Sequence, residues 1–266
     1  MSNKKVAIIT GASQGIGYAI GKLLAQNNYI VYSLSRNSKQ DEYIIFLKTD
    51  ITDCEQVKSA FNIIFQKHNH IDLVINNSGY AIASSYEELD IATYQNLIKV
   101  NDFAVLNVCL IALEFLKLSK GKIINIGSLT SYLFTPFGTF YATSKQLLKT
   151  ISYALYNKYL KLGISICCLI VPKMKTKFDD SRVVNLPSDS VYSPYVTRCV
   201  KKVAKSAQKG MDPIKVANLV LNLDKKPTLK PQKIIGLKTK ILCFLTYLIP
   251  ANIVCKLLFK VFCKQD

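Results

Sequence analysis

The stretch Thr10-Gly11-Ala12-Ser13-Gln14-Gly15-Ile16-Gly17 decides how the chain folds. It follows an apolar run, Val6 to Ile9, and precedes Ile16, Ala19, Ile20, Leu23 and Leu24 at helical spacing, so it reads as strand, tight turn, helix. Glycines at 11, 15 and 17 remove the side chains that would hold the backbone away from a pyrophosphate, and the free N–H groups and positive end of the new helix favour its charge. The spacing is G-x-x-x-G-x-G, not the familiar G-x-G-x-x-G, so the turn alone does not establish a nucleotide site. Outward from it, apolar runs near 30–34, 44–47, 73–75, 123–126 and 164–171 alternate with longer helix-period segments, and a short last strand is expected at 233–236. That alternation predicts an α/β fold whose parallel strands are joined by right-handed crossovers, with ligands at the strands' carboxyl ends.

At 266 residues and 50% hydrophobic, the chain can bury one full core, and no Pro/Gly/Ser-rich linker, repeat or low-complexity tract divides it. A single domain over residues 1–266 is expected. The eight cysteines form no C-x-x-C pair and sit mostly in apolar stretches, as Cys109, Cys167 and Cys168 do, which points to buried small hydrophobes. His68 and His70 lack the companions a metal needs, so no metal site is expected. The N-terminal residues leave no room for a signal peptide, which predicts a cytoplasmic, reducing compartment. A net charge of +18 would suit a polyanion, but only Arg36, Arg182 and Arg198 of the 35 basic residues are arginine, and Asn and Ile are abundant, as in AT-biased coding. With no nucleic-acid-binding signature, no nucleic-acid partner is expected.

Far downstream, Tyr141-Ala142-Thr143-Ser144-Lys145 places a phenol and an ammonium one helical turn apart. Reducing a ketone with a hydride requires a proton for the oxygen, and a free tyrosine, with pKa near 10, gives one up sluggishly. Lys145, at i+4 on the same helix face, is expected to lower the pKa of Tyr141.

Further stations lie in order. Asn76-Asn77-Ser78-Gly79 follows the run Leu73 to Ile75, Asn101 lies in Lys-Val-Asn, and Ser128 ends the strand Ile123 to Ile126, thirteen positions before Tyr141. With the glycine turn and Tyr141/Lys145, this series resembles the short-chain dehydrogenase/reductase family, over about Lys5 to Leu237. The resemblance implies a doubly wound, Rossmann-like parallel sheet of order 3-2-1-4-5-6-7 in a three-layer α/β/α arrangement, binding a nicotinamide dinucleotide. It implies Tyr141 as acid or base, Ser128 orienting the substrate oxygen, Lys145 on the nicotinamide ribose, and Asn101 holding a helix distortion and a water. Cofactor contacts are implied for Gly11, Ser13, Gly15, Ile16, Gly17, Ser35, Arg36, Asp50, Ile51, Asn77, Gly79, Tyr141 and Lys145, Asp50 facing the adenine amino group. Either Thr52 or Asp53 is expected to cap the helix beginning near Cys54.

In such folds an acidic residue after the second strand favours NAD, and an arginine accommodates the extra phosphate of NADP. Here the strand Ile30 to Leu34 ends in Ser35-Arg36-Asn37, which favours NADP(H) over NAD(H). The family's Pro-Gly after the sixth strand is Pro172-Lys173 here, with Thr176 one place early, so the resemblance does not carry Thr176 over as a cofactor contact. Residues 173–212 are expected to be a substrate loop and lid, with Asp212 and Pro213 opening a helix.

From Ile241 to Cys255 run fifteen uncharged residues, too few for an upright span and interrupted by Pro250. In this extension, about 238–266, Val254, Leu257, Leu258, Val261 and Phe262 fall on one face of a helix and Lys256, Lys260 and Lys264 on the other. Such a helix packs over the pocket or a second subunit, or lies on the inner face of a membrane. With Phe134, Phe137 and Phe140 near the tyrosine, it suggests an apolar carbonyl or alcohol, lipid-, steroid- or retinoid-like. The expectation is therefore an NADP(H)-dependent oxidoreductase, a homo-oligomer as family members commonly are. The alternatives are a catalytically idle NADP-binding scaffold at a membrane and an NAD-linked alcohol dehydrogenase.

Overall fold

In the computed structural model the described residues are 4–37 and 39–263; Lys264, expected on the lysine face of the last helix, lies outside them. Seven strands form one parallel sheet: β1 (Lys5–Thr10), β2 (Tyr29–Ser35), β3 (Ile45–Lys48), β4 (Leu73–Asn76), β5 (Lys122–Ser128), β6 (Ser165–Val171) and β7 (Gln232–Ile234). Their order is β3-β2-β1-β4-β5-β6-β7, as the resemblance implied, with the winding reversing between β1 and β4.

Side chains alternate between two buried faces because successive residues of a strand point to opposite sides. Val6, Ile8, Val74, Ile123 and Ile166 pack against α2 (Cys54–His68), α4 (Ala104–Ser119) and α5 (Thr139–Tyr159). Ala7, Ile9, Ile75, Ile124 and Leu169 pack against α1 (Gly15–Ala25) and α7 (Pro213–Asp224). Burying each such Ile or Leu contributes about 1.5–3 kcal/mol, which makes the register costly to shift. At the sheet's opposite end from the glycine turn, Asp224 accepts from Lys5 Nζ at 2.7 Å and Tyr29 Oη at 2.5 Å. Burial opposes its ionisation, but these bonds and the Lys122 charge outweigh that and hold its carboxyl below the usual range.

Capping chemistry sets several boundaries. Asp53, not Thr52, caps α2 by accepting from the N–H groups of Glu55 and Gln56, and Asp212 caps α7 ahead of Pro213. The helical stretch before β5 is α3 (Ile91–Ile98), a π-turn over Lys99–Phe103, then α4.

Residues 173–212, expected as a loop, contain a 3-10 turn at Lys177–Ser181, a short parallel ladder of Val183–Val184 with Ile82–Ala83, and the sixteen-residue α6 (Ser193–Gln208). Periodicity was hidden there because α6 buries only Val196, Cys199 and Ala207 among many polar residues. The C-terminal extension forms α8 (Leu237–Leu248) and α9 (Ala251–Cys263), broken at Pro250. The apolar face expected on α9 is split: Val254, Leu258 and Phe262 are half-buried, while Leu257 and Val261 are exposed. α9 lies against α6, whose Arg198 and Lys202 donate to the carbonyls of Cys263 and Val261. No helix among the described residues is long and apolar enough to cross a membrane.

Candidate active site

Gly11 and Gly15 hold φ of 69° and 59°, where side chains are strained, and a Cβ on Gly17 would lie 2.5 Å from the Gly11 carbonyl oxygen. The turn is tied to β2 by Gly11 N–H donating to the Leu34 carbonyl at 3.1 Å and Ala12 N–H to Ser33 Oγ at 3.2 Å. Asn77 ties it to β4: its Nδ2 donates to the carbonyls of Thr10 and Gly11 at 3.2 and 2.8 Å, and its N–H donates to Thr10 Oγ1 at 3.0 Å. Gln14, preceding α1, makes no side-chain capping bond, so the helix start is not closed by its own cap. A tight, Cβ-free cradle before that helix start fits a dinucleotide pyrophosphate, and Gly11, Ser13, Gly15, Ile16 and Gly17 are the residues that would hold it.

Arg36 is exposed at the carboxyl end of β2, beside Ser35, whose Oγ donates to the Asn37 carbonyl. Sequence reading missed Lys39, whose Nζ donates to the Ser13 carbonyl at 3.3 Å and stands over the Tyr18 ring at 4.4 Å. Its signal was spacing from a turn reached only through the fold. Asp50, expected to face adenine, accepts through Oδ1 from the N–H and Oγ1 of Thr52, both at 2.9 Å. These bonds, with the Arg36 charge, hold its carboxyl below the usual range against partial burial, and Ile51 beside it is buried.

At the carboxyl ends of β4 and β5 the other residues converge. Asn101 lies inside the π-turn, fully buried; its Nδ2 donates to the Tyr80 carbonyl at 2.9 Å and to Ser144 Oγ at 3.1 Å, and its Oδ1 accepts from Tyr80 N–H. A Cβ on Gly79 would meet Asn101 Oδ1 at 3.0 Å and Lys145 Nζ at 3.7 Å, so the small residue lets both approach β4. Lys145, 5% exposed, donates to the Ile126 carbonyl at 3.3 Å and lies 5.7 Å from the Tyr141 ring centre. Ser128 Oγ accepts from Thr130 N–H and Thr130 Oγ1.

The expected acidification of Tyr141 by Lys145 does not hold. Burial pushes the Tyr141 hydroxyl up to about 12; the opposing influences are the Arg182 guanidinium and a Ser128 hydrogen bond, with the Asp179 charge pushing it further up. Burial also lowers the pKa of Lys145, with Asp102 opposing. Asp102, next to Asn101, was missed: it is fully buried, and neither carboxyl oxygen has a hydrogen-bond partner among the described residues. The signal was a carboxylate on an otherwise apolar helix face. Its desolvation raises its pKa to about 7, although Lys145 pulls the other way.

Thr176 stands near the cradle, its Cγ2 3.4 Å from a Cβ placed on Gly15, and it caps the 3-10 turn through Phe178 N–H. Lys173 is not among the residues with positive φ, so replacing the family's glycine there creates no strain. Phe140, expected beside the pocket, is core: it is buried with Ile82 and Leu97, its ring 4.9 Å from Tyr86 and 5.0 Å from Tyr94. Phe134 is exposed, and Phe137 meets Tyr192 of the lid at 6.4 Å.

The profile of the short chain dehydrogenase family matches residues 5–186. A probable short-chain type dehydrogenase/reductase of Helicobacter pylori, VdlC, is 29% identical over 93% of this chain and 94% of its own length. A 3-ketodihydrosphingosine reductase of Bacteroides thetaiotaomicron is 28% identical over 82% and 83% of the two chains, and an NADPH-dependent 1-acyldihydroxyacetone phosphate reductase of Saccharomyces cerevisiae 31% over 71% and 67%. A crystal structure of a short-chain dehydrogenase from Streptomyces avermitilis superposes with a TM-score of 0.83 at 17% identity, covering 98% of this chain and 97% of that one.

The carboxyl of Asp102 titrates higher folded than unfolded, so the native state keeps a proton that the unfolded chain has released. The stability this carboxyl contributes therefore falls as pH rises from about 4 to about 7. Asp102→Asn removes the titration, and its gain in melting temperature over the parent is expected to be larger at pH 8 than at pH 5. Equal gains at both would show that the carboxyl is matched in solution.

Proposed function

The chain belongs to the short-chain dehydrogenase/reductase family and is a nicotinamide-dependent oxidoreductase, and from that premise we propose that it uses NADP(H) to interconvert a carbonyl and a secondary alcohol on an apolar, lipid-like substrate. The observation that carries this reading is the convergence of Asn101, Ser128, Tyr141 and Lys145 beside the glycine cradle.

When bound, the nicotinamide gives or takes the hydride. Tyr141, with its pKa near 12, stays protonated across neutral pH and donates to the oxygen of the substrate carbonyl. Ser128 Oγ hydrogen-bonds that oxygen and positions it against Tyr141. Lys145 holds the ribose hydroxyls, and Asn101 fixes the π-turn against Ser144 so that the floor under Lys145 stays in place. Gly11, Ser13, Gly15, Ile16 and Gly17 take the pyrophosphate, Asp50, Ile51, Asn77 and Gly79 the adenosine side, and Ser35 and Arg36 the 2′-phosphate. Lys39 beside Ser13 is ion-paired with Asp41 at 3.3 Å, so the support for NADP(H) over NAD(H) comes from Arg36 and from the yeast relative, whose name specifies NADPH.

The whole chain is read as one nucleotide-binding domain, with 173–212 as the lid over the substrate. The Bacteroides and yeast relatives are named for a keto compound and an acylated ketone phosphate, which supports a carbonyl on a lipid-like molecule. The C-terminal extension supports peripheral membrane contact: α8 and α9 expose Phe244, Tyr247, Leu257 and Phe259 beside Lys240, Lys256 and Lys260. Exposed Phe103, Leu110 and Leu147 on the π-turn, α4 and α5 support a homo-oligomer, which light scattering would count.

Tyr141→Phe is expected to cut turnover by about 10²–10⁴ while NADPH binding, followed by fluorescence, is kept; a fully active variant would refute the assignment of the proton donor. Arg36→Asp should reverse the NADPH/NADH preference in kcat/KM, and unchanged preference would remove Arg36 from cofactor reading. An idle scaffold would bind NADPH yet oxidise none with any ketone. The full chain should pellet with phosphatidylglycerol vesicles and not with phosphatidylcholine alone, and Leu257→Glu/Phe259→Glu should abolish this; equal pelleting of parent and variant would remove α9 as the contact, and a parent that stays in the supernatant would exclude the membrane.

A further inference from the structure

Arg182 is placed where the lid crosses in front of Tyr141. The Thr176 cap starts the 3-10 turn, the Phe178 ring lies 5.8 Å from that of Tyr141, and the Arg182 N–H donates to the Asp179 carbonyl at 3.2 Å. Immediately afterwards Val183 N–H donates to the Ala81 carbonyl, two residues beyond Gly79, so the Arg182 backbone is held on both sides. Its side chain is only 10% exposed. Nη2 donates to Asp179 Oδ1 at 2.6 Å, and Nε is buried with no hydrogen-bond partner among the described residues.

The local charges do not cancel. Asp179 is shared between Arg182 and Lys173, whose Nζ lies 2.5 Å from Oδ2, so two cations face one carboxylate and one positive charge is left over in a largely desolvated place. A buried guanidinium with an unsatisfied N–H is costly unless an anion completes it, and its planar fork matches a carboxylate or a phosphate. Among the influences opposing burial of the Tyr141 hydroxyl, the guanidinium charge is the largest, and the Phe178 ring that lies against Tyr141 belongs to the turn Arg182 ends.

We propose that Arg182, held by Asp179, is a substrate-binding residue that takes an anionic group, carboxylate or phosphate ester, carried within a few bonds of the reacting carbonyl. The inference rests on the reading of Tyr141 as proton donor and narrows its substrate from an apolar ketone to an anionic amphiphile. The apolar remainder runs along the lid side chains Phe178 and Tyr192.

The test uses the full chain with NADPH and two matched pairs of ketones: acetoacetate against ethyl acetoacetate, and dihydroxyacetone phosphate against dihydroxyacetone. The parent should favour the anionic member of at least one pair by roughly tenfold or more in kcat/KM, the pair identifying the anion. Arg182→Gln should bring that ratio close to one, and Arg182→Lys should keep part of it. A parent that prefers neither anion overturns the proposal without any variant, as does an Arg182→Gln enzyme that keeps the ratio. Loss of NADPH affinity with NADH affinity unchanged in Arg182→Gln would instead assign the residue to the cofactor phosphate and also overturn it. Should none of the four ketones be reduced, calorimetry of acetoacetate and inorganic phosphate on the NADPH complex still decides. Binding that disappears in Arg182→Gln supports the site, and no binding to the parent refutes it.

Discussion

The close approach of the β1 turn to the end of β4 is the constraint on which the site depends. Thr10 Oγ1 accepts from the N–H groups of Asn77 and Ser78, Asn77 Nδ2 reaches back to the carbonyls of Thr10 and Gly11, and a Cβ on Gly11 would fall 2.6 Å from Ser78 Oγ. The two strands flank the reversal in winding, so the same contact that closes the sheet opens the crevice beside it. With β4 fixed, Gly79 is placed where Asn101 and Lys145 both close on it, and the loop to Ile82 is placed where the lid ladder joins. One backbone junction thus sets the cradle, the floor of the polar site and the anchor of the lid.

Burial dominates the electrostatics around that junction. Tyr141 is pushed up to about 12, Lys145 is lowered, and Asp102 rises to about 7, each with desolvation as the leading cause. Charges one residue or one turn away act weakly against it. The i+4 spacing of Tyr141 and Lys145 aligns the side chains, but Nζ is drawn toward the Ile126 carbonyl and the Asp102 side. The charge acting on the tyrosine comes from Arg182, forty-one positions further on. Such a coupling crosses the lid and has no local sequence signature.

The strands were legible because buried parallel strands are short apolar runs between glycine-rich or capped turns: Val6 to Ile9, Leu73 to Ile75 and Cys167 to Val171 need no partner to be read. Asp212-Pro213 announced α7 in the same way. The sixteen residues of α6 were not legible, since a helix laid on a surface by Val196, Cys199 and Ala207 carries too thin an apolar stripe to separate from a polar loop. Phe140 misled for the opposite reason: adjacency in sequence to Tyr141 turns it, on a helix, to a different face, into the cluster of Ile82, Leu97 and Tyr94.

By itself the sequence determined the parallel α/β strands, the glycine turn and the pairing of Tyr141 with Lys145, because periodicity, turn chemistry and i+4 spacing are local properties of a chain, while the doubly wound order and the stations Asn77, Asn101 and Ser128 were read through the family resemblance. Tertiary structure alone decided that Lys39 joins the cradle, that Asp102 is buried with no partner among the described residues, that α9 rests on α6, and that Arg182 is buried in the turn packed on the tyrosine with a spare N–H. Those facts depend on which remote surfaces are desolvated together, and desolvation is a property of packing that no single segment carries.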